Sequence, residues 1–197
     1  MSMLEEILAA NREFVAHFAE QNAYGDDAKS KLPQRHLAIV TCMDTRLVDF
    51  LEPALGIGRG EAKVIKNAGN SVTGPFESTV RSLIVGVFEL GVKEIMVIGH
   101  HDCGVAHTTS EQLIEKMLRR GIPEAAIRMV RHELEQWIDE FHHPVQNVEH
   151  VVDKIRMNPL LPADVPVHGL IFDPKSGKLD VVVDGYTSVS ELADGNL

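Results

Sequence analysis

Cysteine is nearly absent: the 197-residue chain has two, too few for a disulfide framework. In a reducing compartment such thiols read as buried groups, metal ligands or reactive groups. No apolar run approaches the roughly 20 residues needed to cross a bilayer. No Lys/Arg-rich run stands out against a net charge of −10, so a polyanion such as nucleic acid meets a repulsive average surface, and a membrane-surface role is disfavoured for the same reason. The N-terminus, MSMLEEILAANREF, places acids where a secretory signal carries positive charge. No signal peptide is expected, and the protein is predicted to be cytoplasmic. Internal repeats, low-complexity tracts and long linkers are also missing. What remains is 44% hydrophobic and 24% charged residues, the balance of a soluble globular protein. The length suits one domain, read here as 1–197 with a helical arm over 1–34 and an α/β core over 35–197.

The pattern within that length alternates helix and strand. Apolar residues at Leu4, Ile7, Leu8, Phe14, Val15 and Phe18 recur near helical spacing, which predicts an N-terminal amphipathic helix. HLAIVTC, from His36 to Cys42, is a short apolar run suited to a strand buried on both faces. AKVIKN, Ala62 to Asn67, is a second strand, and EIMVIGH, Glu94 to His100, a third. Between them Gly74-Pro75 opens a helix reaching about Leu90, with Gly91 as its stop. Two or three helices occupy Ser110 to Met157; Pro123 marks where one begins, and Pro144 where another ends. Val165 to Asp173 and Lys178 to Val183 flank a turn and read as a hairpin. The fold class is therefore α/β: four parallel strands plus one antiparallel C-terminal strand, flanked by helices. Ligands of such sheets bind outside the carboxyl ends of the strands.

Both cysteines fall at those ends. Cys42 closes the first strand in TCMDTR, and Cys103 follows the third in GHHDCG. Strands one and three are neighbours in a doubly wound sheet, and His100 precedes Cys103 by one H-x-x-C step. Together Cys42, His100 and Cys103 form a Cys₂His set that suits Zn²⁺ and leaves one tetrahedral position open, the mark of a catalytic site. The competing reading is two inert buried thiols and a strand-end histidine. Asp44 and Arg46 lie just past Cys42, where guanidinium and carboxylate can make a charge-assisted bond. Held so, Asp44 stays ionised and can accept a hydrogen bond at the metal; freed, it can take the fourth zinc position. The bland alternative is a surface ion pair worth roughly 0–1 kcal/mol.

Cys-Met-Asp-Thr-Arg at 42 to 46 resembles the C-x-D-[ST]-R signature of β-class carbonic anhydrases, and Gly99 to Gly104 resembles their G-H-x-x-C-G signature. Asn67-Ala68-Gly69-Asn70 matches the family's N-A-G-N segment, and Val167-His168-Gly169 with Gly177-Lys178-Leu179 resembles its C-terminal hairpin. The resemblance runs from Leu37 to about Val183 and is closest to the compact prokaryotic branch. It implies zinc on Cys42, His100 and Cys103, an Asp44–Arg46 catalytic dyad, and reversible hydration of carbon dioxide to bicarbonate. It also implies a homodimer or homotetramer whose N-terminal helices reach across to the partner. There are departures. Lys66 stands where the family commonly has Arg. Some bacterial members bind inhibitory bicarbonate at a second site using Trp, Arg and Tyr, but the one tryptophan here, Trp137, lies in a late helix.

Two thiolate ligands predict a less acidic zinc-water than a three-histidine site has, hence activity favouring alkaline pH. His101 and His107 read as ordinary loop histidines rather than proton shuttles. The nearest rival is carbonyl sulfide or carbon disulfide hydrolysis at the same zinc. A non-catalytic zinc or bicarbonate-sensing module would need neither Asp44 nor Arg46. A thiol redox pair is disfavoured by the lack of C-x-x-C spacing.

Overall fold

A computed structural model describes residues 2–21 and 30–187. The chain divides by compactness into an N-terminal unit, Met1–Lys31, and a second unit, Leu32–Leu197. The first holds helix α1, Met3–Gln21, somewhat longer than the expected one. Its residues Leu4, Ile7, Leu8 and Val15 are all exposed.

The second unit is built on five strands: β1 (Leu37–Cys42), β2 (Ala62–Asn67), β3 (Glu94–His100), β4 (Val167–Phe172) and β5 (Leu179–Val183). Their order is β2-β1-β3-β4-β5. The first four run parallel and β5 pairs antiparallel to β4, as the alternation of strand and helix followed by a hairpin predicts. Strands β1 and β4 are buried at every position. That explains their largely apolar sequences: both faces are covered, and the polar residues they do hold are hydrogen-bonded, Thr41 to the Ile98 carbonyl and His168 to the Gly185 N–H.

Helices α2 (Leu51–Ala54), α3 (Ser78–Leu90), α4 (Ser110–Arg119), α5 (Glu124–Asp139) and α6 (Pro144–Arg156) complete the unit. One face of the sheet packs Ala38, Val40, Ile95 and Val97 against Val80 and Leu83 of α3 and against Val148, Val152 and Ile155 of α6. The other packs Leu37, Ile39, Ile98 and Phe172 against Leu47, Leu51 and Ile57, from α2 and the turns beside it.

Two expectations are corrected. Helix α3 begins at Ser78 rather than Gly74-Pro75, because the Glu77 carboxylate accepts from the Thr79 and Val80 N–H groups and caps the helix there. It ends as expected, on Gly91 in the left-handed conformation (φ 69°). Pro144 does not end a helix. It opens α6 at its first position, where a proline's missing N–H leaves no bond unmade.

At the strand N-terminal edge the C-terminal hairpin is anchored through buried His168. Its Nδ1 accepts the Gly185 N–H at 3.1 Å, and its Nε2 lies 3.2 Å from Glu94 Oε1. No helix among the described residues is long and apolar enough to cross a membrane.

Candidate metal centre

Parallel pairing of β1 with β3 aligns Thr41 with Ile98, so Cys42 and His100 end adjacent strands at the same edge of the sheet. The Thr41 hydroxyl reinforces that pairing by donating to the Ile98 carbonyl at 2.8 Å. Beyond β3 the chain turns sharply at Asp102, which takes a positive φ of 55°, and this returns Cys103 to the edge. The two sulfurs stand 3.9 Å apart. The ligand atoms of Cys42, His100 and Cys103 lie within 4.8 Å of one another, the one such cluster among the described residues. The Asp44 carboxylate is not part of it.

The donor set fits zinc. Two sulfurs on a tetrahedral zinc at about 2.3 Å each stand roughly 3.8 Å apart, close to the observed separation. All three candidate ligand residues are nearly dry, with Cys42 4%, Cys103 1% and His100 1% exposed. The His100 ring is oriented by a hydrogen bond from Nδ1–H to the His101 carbonyl at 2.9 Å. Its lone pair therefore resides on Nε2, which is buried and has no hydrogen-bond partner. An orphaned imidazole lone pair facing two sulfurs is costly in a dry site unless a cation takes it.

The electrostatics agree. One hydrogen bond links the two sulfurs, and it holds Cys42 well below the usual thiol range and pushes Cys103 above it. Burial opposes ionising Cys42, but His100 and the backbone N–H groups of Gly69 and Asp44 add to the lowering. The Val105 N–H serves Cys103. Burial is the largest influence on His100 and opposes charging it, but the Cys42 sulfur, the His101 carbonyl and the Asp44 carboxylate together raise its pKa.

Asp44 and Arg46 meet as the D-x-R spacing suggested. Arg46 Nη2 donates to Asp44 Oδ2 at 2.8 Å, while Nε and the backbone N–H donate to Oδ1 at 3.0 and 2.9 Å. These bonds, the side-chain ones foremost, hold the Asp44 carboxyl down at about 2. Asp44 Oδ2 lies 3.8 Å from His100 Nε2, beside the ligand cluster.

Sequence reasoning passed over Asp102. Arg46 Nη1 reaches its carboxylate at 2.8 Å and Nη2 its backbone carbonyl at 2.7 Å. One guanidinium thus ties the loop after β1 to the loop after β3. The available signal was a second acid beside Cys103 in GHHDCG. His107 Nε2 lies 3.5 Å from the same carboxylate. Lys66, the departure before N-A-G-N, pairs with Glu52 of α2 at 2.7 Å and so helps fix α2 to the sheet. Trp137 donates from Nε1 to Ser71 Oγ at 3.1 Å. A cavity of about 260 Å³ opens onto the cluster, lined by Cys42, Asp44 and Cys103 together with the apolar Met43, Ala68, Val105 and Ile138.

The family model for carbonic anhydrase matches residues 37–179. The chain belongs to the β-carbonic anhydrase family. It is similar to the solved β-carbonic anhydrase isoform I of the protozoan Trichomonas vaginalis, with 44% identity, a TM-score of 0.87, and coverage of 94% of this chain and 100% of that one. Beta-carbonic anhydrase 1 of Mycobacterium tuberculosis is 33% identical over 92% of this chain and 99% of its own length. A carbon disulfide hydrolase of Acidithiobacillus thiooxidans is a more distant relative, at 27% identity over 91% of this chain and 86% of its own. The family is one of zinc enzymes that interconvert carbon dioxide and bicarbonate, and the Cys-His-Cys cluster of this chain is the candidate zinc site.

Proposed function

We propose that this chain binds one zinc through Cys42, His100 and Cys103 and hydrates carbon dioxide reversibly, with Asp44 and Arg46 as its catalytic dyad. The observation that carries the reading is the buried, unpartnered Nε2 of His100 beside two sulfurs 3.9 Å apart, with a clamped carboxylate 3.8 Å away. Zinc held by these three residues would supply the acidity that lowers the pKa of water from about 15.7 toward about 7.

The protein's own groups do the rest. Arg46 occupies both Asp44 oxygens, which keeps the carboxylate ionised and turned away from ligation. Asp44 then accepts the hydrogen of the attacking nucleophile and leaves its lone pair free for the carbon. The apolar wall of Met43, Ala68, Val105 and Ile138 suits an uncharged, linear substrate and excludes bulk water. Water adds across the carbon, bicarbonate leaves, and one proton passes to solvent. A sensing module without catalysis has no use for the Asp44–Arg46 clamp. The carbon disulfide reading draws on a relative of lower identity than the carbonic anhydrases above, so carbon dioxide is the substrate we assign.

We further propose a cytoplasmic homodimer or homotetramer. The exposed apolar residues Leu4, Ile7, Leu8 and Val15 of α1 support a helix that is covered by a second copy, because a stripe of that kind is rarely left in water. Light scattering on the full chain reads the assembly directly.

Stopped-flow carbon dioxide hydration, on protein of measured zinc content at about pH 7 and about pH 8.5, tests the activity. Zinc-dependent turnover, faster at the higher pH and abolished by a chelator, is expected. A zinc-loaded protein inactive at both values overturns it.

A further inference from the structure

Asp44 and Arg46 share one short turn after β1, where the Asp44 side chain caps Thr45–Leu47 by accepting the Arg46 N–H at 2.9 Å. The side-chain bonds between them, 3.0 Å from Nε to Oδ1 and 2.8 Å from Nη2 to Oδ2, orient the pair internally. They fix nothing outside the turn. The backbone on either side is held, by the Met43 N–H on the Asn67 carbonyl at 2.8 Å and by buried Leu47. The freedom that remains belongs to the two side chains moving together. Asp102 removes it. Arg46 Nη1 donates to Asp102 Oδ2 at 2.8 Å, and Nη2 donates to the Asp102 carbonyl at 2.7 Å. The planar guanidinium thus offers one edge to each acidic residue, and its plane is set from two directions. Asp102 lies between His100 and Cys103 in the chain, so Asp44 is tied through one rigid group to the turn that joins two of the candidate ligands. With φ at +55°, position 102 is open to Asn, Asp and Gly alike. The turn alone does not ask for a carboxylate.

We propose that Asp102 is a positioning residue: it anchors Arg46, and through Arg46 it keeps Asp44 beside the metal as a hydrogen-bond acceptor rather than on the metal as a ligand. The inference rests on the zinc reading of Cys42, His100 and Cys103. Asp44 Oδ2 stands 3.8 Å from His100 Nε2, so a modest swing brings the carboxylate into the cluster, and the anchored guanidinium opposes that swing. The other Asp102 oxygen, Oδ1, lies 3.5 Å from His107 Nε2, which leaves Oδ2 to Arg46. The Arg46 and Asp102 side chains are 40% and 63% exposed, so their pair contributes little to the stability of the fold. Its effect on direction is larger. A carboxylate that capped the metal for about nine-tenths of the time would weaken the apparent affinity of any competing ligand about tenfold.

The test uses the full chain loaded with cobalt(II) and titrated with thiocyanate at one fixed alkaline pH, followed by the visible spectrum, with zinc content measured separately. Asp102→Gly suits the left-handed φ and removes the carboxylate; Asp102→Asn suits it too and keeps an acceptor for Nη1. Asp44→Asn removes the competing carboxylate, and Asp44→Asn combined with Asp102→Gly shows whether Asp102 acts through it. Asp102→Gly should keep its full zinc content, show a changed cobalt spectrum before thiocyanate is added, and bind thiocyanate about 10-fold or more weakly than the parent. Asp102→Asn should lie nearer the parent than Asp102→Gly does. In the double variant the loss should vanish, leaving the affinity of Asp44→Asn alone. Parent-like thiocyanate affinity in Asp102→Gly overturns the proposal. So does an equal loss in the double variant, because Asp102 would then shape the site without Asp44. Loss of zinc from Asp102→Gly also overturns it, by placing the effect on the Cys103 turn instead. If the unaltered chain takes up neither zinc nor cobalt, the metal reading itself fails and this inference falls with it.

Discussion

Replacing Asp44 by Asn separates a catalytic carboxylate from a structural ion pair, because the structure assigns very different sizes to the two effects. Asparagine is isosteric and keeps one acceptor for Arg46, but it loses the charge and turns an NH₂ toward either the guanidinium or the metal cluster. The Arg46 side chain is 40% exposed, so the lost pair is worth only about 0–1 kcal/mol of stability. For a chain of this size that moves Tm by no more than about 2–4 °C. Zinc content should not change, because Cys42, His100 and Cys103 are untouched. Turnover should change greatly: removing a positioned proton acceptor costs about 100-fold or more, which is roughly 2.7 kcal/mol on the barrier. Arg46 holds the Asp44 carboxyl at about 2, down from 3.8, so it is ionised at any assay pH near neutrality. The deficit of the variant should accordingly be the same at about pH 7 and about pH 8.5. By the same sign, the carboxylate's contribution to stability is in place above about pH 3.9 and fades only as pH falls toward the lowered value. Stopped-flow hydration, metal analysis and thermal melting on one preparation decide the matter. A kcat within about tenfold of the parent, or loss of zinc along with activity, refutes the assigned role.

Cys103→Ala should abolish stoichiometric zinc binding by atomic emission, since two ligands in an otherwise dry pocket hold zinc poorly; full occupancy would show that the ligand set is wrong. Phe172→Ala, at a fully buried residue stacked edge-on against Phe50 with ring centroids 5.5 Å apart, should destabilise by about 3–5 kcal/mol in urea unfolding. A loss under about 1 kcal/mol would mean the packing there is not what holds the β4 end of the site. The Asp139 carboxylate is held below the ordinary range by the Ser110 hydroxyl at 2.6 Å and then its N–H at 2.8 Å. Its contribution to stability is therefore present above the unfolded carboxylate pKa and disappears as pH falls through the lowered folded one. Asp139→Asn should lower stability near neutral pH and flatten the acid limb of the stability curve; an unchanged limb would remove Asp139 from the account.

The sequence by itself determined the alternation of strands and helices and the strand ends at Cys42 and His100. It did so because burial on both faces leaves a strand little room for polar residues, so its length is written as a nearly continuous apolar run such as LAIVTC. It also determined the local Asp44–Arg46 meeting, since two residues is too short a separation for the tertiary fold to overrule. Helix starts were less legible: Pro144 gives the same punctuation before a helix as after one, and only the observed backbone shows which side the helix takes. The partners that cross the fold were out of reach. Arg46 finds Asp102 because β1 and β3 are hydrogen-bonded neighbours, and Trp137 finds Ser71, 66 positions away, because α5 turns into α6 behind the loop. Such pairs leave no periodic trace in a single chain. Sequence spacing states which residues can ligate or clamp, whereas strand order and helix packing decide which of them stand within bonding distance.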